Sequence, residues 1–426
     1  MHGDPGSTPS ALAAEFRSAL ETNPAGTAAL APHWATLTVP ASRGGRGLDQ
    51  AAAVTVAEET GRAGRDGTLL DMIAAAETLA AAGPGPAAEA LDGLATGTDV
   101  PAVSWWPAPG ERHESEGAPP GHRDFAVGLP ATTALLRLPS APGAGERFAL
   151  VALHGATWRP QPGLHGEPRH RLNLDGRADL RRPAVVDVDA GAAPGGSGPS
   201  PADLDGIRRA AYLWGLGDAA VGAAVRRARE RHQFGVPIGR HQAVAFPLAA
   251  LTARLRATRL LIHSTAAATD PTAPTGPAVA HDPTVAADPA ASTGPAVAHD
   301  PAVAAAPAAS TGPAVAHDPA VAADPAAATG PAVARDPAVA AAADPAASIG
   351  PAADDEDKRP FTERVARLVR HTGELALDAT WCALHLHGAH GLTDASPAQL
   401  LYRRALFHTA LLRPGRHPHP PYSRRT

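Results

Sequence analysis

Four times in succession, starting at Thr275, Thr293, Thr311 and Thr329, the chain spells out variants of an 18-residue unit that first reads TGPAVAHDPTVAADPAAS. This repeat constrains the fold more than any other feature, because it cannot join a core. A proline every few residues removes backbone donors and blocks helix propagation. The alanines and valines between the prolines bury too little to offset the entropy of ordering. Residues 265–357 therefore read as an extended, polyproline-like or disordered insertion. Stacking into a solenoid would need a large apolar side chain in every unit, and none is there. His281, His299 and His317 recur in register as metal ligands might, but the fourth unit carries Arg335 at that place. Solvated loop histidines are the simpler reading.

The rest of the 426-residue chain can supply real cores, since 44% of the whole is hydrophobic. A formal net charge of -5 offers no basic field to attract phosphate backbones, which argues against a nucleic-acid role. The one cysteine, Cys382, excludes an intramolecular disulfide and fits a reducing compartment, the cytoplasm by default. Met1 to Phe16 lacks a basic stretch followed by an apolar one, and no run approaches the ~18 apolar residues of a spanning helix. Neither secretion nor membrane insertion is expected.

Periodicity divides what remains. Residues 1–98 are alanine-rich with apolar positions at helical spacing, such as Leu69, Leu70, Ile73 and Leu79, and form a small helical domain. Residues 99–200 are short, glycine- and proline-punctuated segments that alternate in polarity, as in Phe148 to Leu153 and Arg171 to Leu174, and form a reduced β region. Helical spacing returns at 201–264, with Leu248, Leu251, Leu255 and Ile262 on one stripe. It resumes at 358–415 with Val365, Leu368, Val369 and Leu375, before a tail at 416–426. Two long helices before the insertion and two after it make a four-helix bundle. Closure entropy grows slowly with loop length, so the bundle tolerates an insertion between its second and third helices. The expected fold is mostly α: N-terminal helices, a reduced β middle region and an interrupted four-helix bundle.

Three stretches carry a family resemblance. The first is Trp34 to Pro40 (WATLTVP), followed by Gly44 to Leu48 (GGRGL) and Val56 to Ala63 (VAEETGRA). The second is Arg229 to Gly239 (RERHQFGVPIG) with His241 to Val244 (HQAV). The third is His385 to Thr393 (HLHGAHGLT), ending in Pro397 and Tyr402 to Ala405 (YRRA). Together with the order of helical domain, β region and bundle, they resemble acyl-CoA dehydrogenases. The second stretch also reads physically, since a helix bearing Arg226, Arg227, Arg229 and Arg231 stops at Gly235-Val236-Pro237 and leaves a cationic fork beside a turn.

The resemblance implies FAD as cofactor. Arg231 then reaches the pyrophosphate bound to a neighbouring subunit, bidentate work that suits guanidinium. Phe234 lies near the ring system, while Gln233 and Gln242 offer hydrogen bonds. It also implies that the loop at His385, Gly388, Ala389 and Gly391 lets backbone approach the diphosphate. Here His385 replaces the family's glutamine and Ala389 its second glycine. A metal reading of His385, His387 and His390 fails on geometry, because His385 and His387 point about 200° apart on a helix.

The family's reaction removes an α-proton from an acyl thioester while the β-hydride passes to flavin N5, so a carboxylate must stand beside the substrate. The position of the usual glutamate, counted from Arg403, is Leu412, which cannot accept a proton. Some members carry the base at the start of the first bundle helix, and that count gives Asp205. Asp205-Gly206 also suits N-terminal capping with Asp203. The family's flavin-contacting β segments have no match, and Trp105 and Trp106 stand near the place of one of them.

Two functions are compatible with this pattern. One is a flavin-dependent enzyme acting on an acyl-CoA or acyl-carrier thioester, as a homo-oligomer or as a base-deficient partner of another acyl-CoA dehydrogenase subunit. The other is a non-catalytic scaffold or regulatory partner.

Overall fold

The computed structural model describes residues 9–24, 26–82, 84–98, 101–104, 122–126, 133–138, 146–153, 159–160, 166–167, 169–173, 184–188, 199–269, 360–393 and 396–412. The repeats with His281, His299 and His317, the pair Trp105 and Trp106, and the 416–426 tail lie outside them. The chain divides into two compact units, 1–275 with 357–426 and, separately, 276–356, and only the first contains described residues.

The N-terminal region consists of α1 (Pro9–Thr22), α2 (Ala31–Trp34), α3 (Gln50–Arg62), α4 (Thr68–Ala81) and α5 (Pro86–Thr96). Leu12, Phe16 and Leu20 form the buried stripe of α1, and Phe16 meets Trp34 edge-on at 4.7 Å. The segment after Trp34 is a series of turns. Its backbone folds on itself through Leu48 N–H to Leu37 O and Gly47 N–H to Val39 O, at 2.9 and 2.8 Å.

Among the described residues, the middle region forms a seven-stranded sheet built from β1 (Ala102–Ser104), β2 (His122–Ala126), β3 (Thr133–Leu138), β4 (Glu146–Ala152), β5 (Arg159–Pro160), β6 (Arg169–Asn173) and β7 (Ala184–Val188). Its order is β5-β6-β2-β1-β3-β4-β7, with β1 and β3 parallel and the remaining neighbours antiparallel. The two segments read from alternation, Phe148 to Leu153 and Arg171 to Leu174, correspond to β4 and β6 within two residues at each end.

The bundle comprises α6 (Pro201–Glu230), α7 (Gln242–Ala267), α8 (Phe361–His387) and α9 (Pro397–Leu411), with a short hairpin, β8 (His232–Gln233) and β9 (Val236–Pro237), between the first two. α7 buries the anticipated stripe of Leu248, Leu251, Leu255 and Ile262. α6 is central, and its first half is buried nearly all round because it also receives α3 and α4. The α3–α6 crossing is close enough to exclude side chains. A Cβ on Gly61 would sit 2.2 Å from the Tyr212 carbonyl oxygen, and one on Gly215 2.3 Å from that of Glu58. Beside the crossing, the guanidinium groups of Arg62 and Arg259 lie over the Trp214 ring, 4.6 and 5.2 Å from its centroid. The Glu58 carboxylate accepts from Arg259 Nε at 2.9 Å and lies 2.8 Å from His263 Nε2, which ties α3 to α7.

Among the described residues, no helix is long and apolar enough to cross a membrane.

Candidate functional site

The α6–α7 connection is exposed from Arg231 through Gly235. α6 leaves helical geometry at Arg231 and enters β8, whose Gln233 pairs with Val236 of β9. Phe234 and Gly235 form the two-residue turn with φ of 54° and 81°. Both central angles are positive, which is the hairpin geometry that suits Asn-Gly and strains a phenylalanine. The Phe234 ring is nonetheless 93% exposed, with His241 edge-on at 5.9 Å. Arg231, Gln233 and Gln242 are exposed as well. All four residues that the resemblance assigned here share one solvent-facing connection.

α8 ends at Gly388, which has φ 62° and ψ -143° and opens a 3-10 turn through Leu392. His385, Gly388 and Ala389 are exposed, and a Cβ built on Gly388 would meet nothing within 4 Å. Gly391 is different: it is buried, and its Cβ would lie 2.7 Å from the Leu384 carbonyl oxygen. Ala389 has an ordinary negative φ, so its methyl group is accommodated without strain. A guanidinium, two carboxamides and open backbone are chemically suited to a dinucleotide, so the exposed residues of the two loops fit FAD. Among the described residues no three His, Cys, Asp or Glu side chains are grouped to hold a metal ion.

The two positions assigned to a general base lie elsewhere. α6 is capped by Ser200 and Asp203, each accepting from the other's backbone N–H at 3.2 and 3.0 Å, so these residues and not Asp205 do the capping. Asp205, fully buried one turn further on, accepts from Arg209 Nε at 3.3 Å. Arg209 also pairs with Asp71 of α4. Burial raises the Asp205 pKa above the usual carboxylate value, outweighing the opposing influence of Arg209 and Arg208. Leu412 follows the last turn of α9 and packs, partly buried, against the core.

One turn before Leu412, on the same face of α9, His408 is fully buried. Its Nδ1 is 3.5 Å from Arg209 Nη1, and its Nε2 is 3.2 Å from Glu167 Oε1 in the β5–β6 connection. Because a guanidinium can only donate, Nδ1 accepts and the Nε2–H donates to Glu167. Glu167 Oε2 accepts the Gly67 N–H at 2.8 Å. Arg404 completes the junction with bonds to the carbonyls of Gly64 and Gly166. Next to it, the buried Arg208 pairs with Glu77 of α4 at 2.8 Å and reaches Gln50 at 3.1 Å. None of Arg208, Arg209, His408 or Glu167 was identifiable from sequence, because their partners come from elements more than a hundred residues away.

Helices, a mixed sheet and a four-helix bundle, in that order, define the acyl-CoA dehydrogenase fold. The sequence and structure comparisons carry this further. The family model "Acyl-CoA dehydrogenase, C-terminal domain" matches residues 206–282. No curated protein matches the chain in sequence. Among solved structures, the chain resembles the ChsE4-ChsE5 complex from Mycobacterium tuberculosis at 18% identity and TM-score 0.59, covering 96% of this chain and 94% of that one. It resembles a glutaryl-CoA dehydrogenase from Mycobacterium smegmatis in complex with FADH2 at 13% identity and TM-score 0.60, covering 94% and 89%. Butyryl-CoA dehydrogenase from Megasphaera elsdenii is similar at 14% identity and TM-score 0.56, covering 93% and 91%. The chain thus has the fold of the acyl-CoA dehydrogenases, and its residues 206–282 match the C-terminal domain of that family.

Proposed function

We propose that this protein is a flavin-binding subunit of the acyl-CoA dehydrogenase type that lacks a general base of its own and works in a mixed assembly with a catalytic subunit. The observation that carries this reading is the Arg231 hairpin, which keeps Phe234 strained and almost wholly exposed. Strain of this kind persists where a contact outside the folded unit uses it. FAD, when bound, accepts the hydride of an acyl thioester. Arg231 would hold its phosphates, Gln233 and Gln242 its polar edges, and Phe234 would cover an apolar part of it.

Two further observations support the missing base. By the count from Arg403, Leu412 takes the glutamate position, and the fully buried Asp205 has one carboxylate oxygen engaged by Arg209. We assign Asp205 an anchoring role in this reading. That one of the similar structures is a complex of two named components, ChsE4 and ChsE5, makes a mixed assembly a natural arrangement for the fold. The substrate in this reading is an acyl-CoA or acyl-carrier thioester, and the compartment is the cytoplasm.

The buried junction of Asp71, Arg209, Asp205, His408 and Glu167 favours a second reading, a scaffold without cofactor, because it rigidifies the space beside both base positions. An absorbance spectrum decides between them. The protein co-purified with a catalytic acyl-CoA dehydrogenase subunit should show flavin absorbance that bleaches with acyl-CoA. Arg231→Ala should lower flavin retention roughly tenfold, the worth of one charge-assisted hydrogen bond. Colourless protein, whether purified alone or with that subunit, would leave the scaffold.

A further inference from the structure

Helix α4 starts on a glycine. Gly67 holds the N-cap position with no side chain to meet the open amides of the first turn, and a helix begun this way ordinarily leaves them to water. Here each amide has a side-chain acceptor. Glu167 Oε2 accepts the Gly67 N–H at 2.8 Å, Asp66 Oδ1 that of Thr68 at 3.2 Å, and Thr27 Oγ1 that of Leu69 at 3.1 Å. The packing also requires a glycine, because a Cβ at position 67 would lie 2.7 Å from Cε1 of His408. The imidazole can rest against the start of α4 only because nothing projects there.

The opposite oxygen of the same carboxylate meets α9. His408 Nε2 lies 3.2 Å from Glu167 Oε1, and Arg404 Nε forms an ion pair with it at 3.6 Å. Arg404 is held by the carbonyls of Gly64 and Gly166, and the His408 ring by Tyr212, with centroids 4.6 Å apart. The side chains of Glu167, His408 and Arg404 are 1%, 0% and 9% exposed, so the carboxylate lies inside the protein. Its donors are an amide at the positive end of a helix dipole, an imidazole N–H and a guanidinium, all from two helices. The acceptor belongs to neither helix: it enters from the β5–β6 connection, 241 residues before His408 in the chain. A donor set fixed on one group of helices and filled by an acid from another segment has the composition of a carboxylate receptor.

We propose that Gly67, His408 and Arg404 form a carboxylate-binding site of which Glu167 is the tethered ligand. A free monocarboxylate of the size of formate or acetate takes the same place when the glutamate side chain is removed. The occupant acts beyond its own contacts, since it orients the imidazole whose other nitrogen faces Arg209 at 3.5 Å, and Arg209 in turn holds Asp205. None of this rests on the flavin-binding reading.

Chemical rescue is the test. Glu167→Ala opens the site, and its urea unfolding is followed in sodium formate and in sodium chloride at equal ionic strength. A ligand as small as formate binds a well-matched site with a Kd on the order of 10 mM. At about 100 mM formate the folded-to-unfolded ratio of Glu167→Ala should rise about tenfold over that in chloride, saturably, with no such rise in the parent. Acetate should act likewise. Glu167→Gln should gain nothing, because its amide fills the space. Adding His408→Phe to Glu167→Ala should abolish the effect, since it removes a donor and keeps a ring. If formate and chloride act alike on Glu167→Ala, the donors do not select a carboxylate and the proposal falls. It falls also if Glu167→Gln or the double variant responds to formate as Glu167→Ala does. Should Glu167→Ala fail to fold in chloride, the refolded yield replaces the midpoint: recovery in formate supports the site, and no recovery overturns it.

Discussion

Two buried carboxylates in this molecule answer pH in opposite directions. Burial raises the Asp205 pKa, so the folded state holds its proton more tightly than the unfolded chain does. The sign follows from linkage: stability from this group is greatest below the ordinary aspartate pKa and is lost as pH rises through the folded value. Asp205→Asn removes that loss, and Arg209 keeps Asp71 as partner. Urea unfolding should therefore find the variant at least as stable as the parent at pH 7, with the difference shrinking toward pH 4. Glu58 behaves the other way. Burial pushes its pKa up, but His263 and Arg259 outweigh it and hold the carboxyl below its usual value. Its contribution is present above the ordinary glutamate pKa and disappears as pH falls through the lower folded one. Glu58→Gln should cost about 3 kcal/mol at neutral pH, since it strips a buried ionic network of its acceptor, and progressively less in acid.

At the scale of elements, the α3–α6 crossing and the hairpin after α6 make the sharpest predictions. Gly215→Ala drives a methyl group into the Glu58 carbonyl, a backbone atom that cannot swing away. A loss of about 2–3 kcal/mol is expected in denaturant titration, far more than alanine's helix preference returns. Phe234→Asn places a residue that tolerates φ of 54° at the turn, so it should raise stability by about 1 kcal/mol while weakening flavin retention. A gain in both quantities would contradict the strained-contact interpretation. The end of α6 and the turn after it were legible in sequence because Gly235-Val236-Pro237 is a local stop signal, and the α7 stripe because periodicity is local too, whereas the strand pairing of the hairpin was not. The buried pairs Arg208–Glu77 and Arg209–Asp71 were not legible, since a mid-helix arginine looks solvated until a distant carboxylate is packed against it. Asp205 was read as a cap for the same reason: it sits near the start of α6, but Ser200 and Asp203 reach the free N–H groups first. The seven-stranded order of the sheet was likewise out of reach, because its pairings join segments that no local pattern links.

At the scale of the whole molecule, residues 276–356 form a unit separate from the rest. Replacing them by a short Gly/Ser linker should leave the unfolding midpoint of the remaining unit within a few degrees, because loop length enters stability only logarithmically. A collapse of the midpoint would mean that the repeats contribute to the core. The Gly61–Gly215 contact sets a condition of a different kind, on synthesis. α3 emerges from the ribosome roughly 150 residues before the helix it must cross, and at typical elongation rates that delay is on the order of 10 s. Throughout that interval the apolar faces of α3 and α4 wait without their partner, which leaves the nascent N-terminal third with open, association-prone surface until α6 follows.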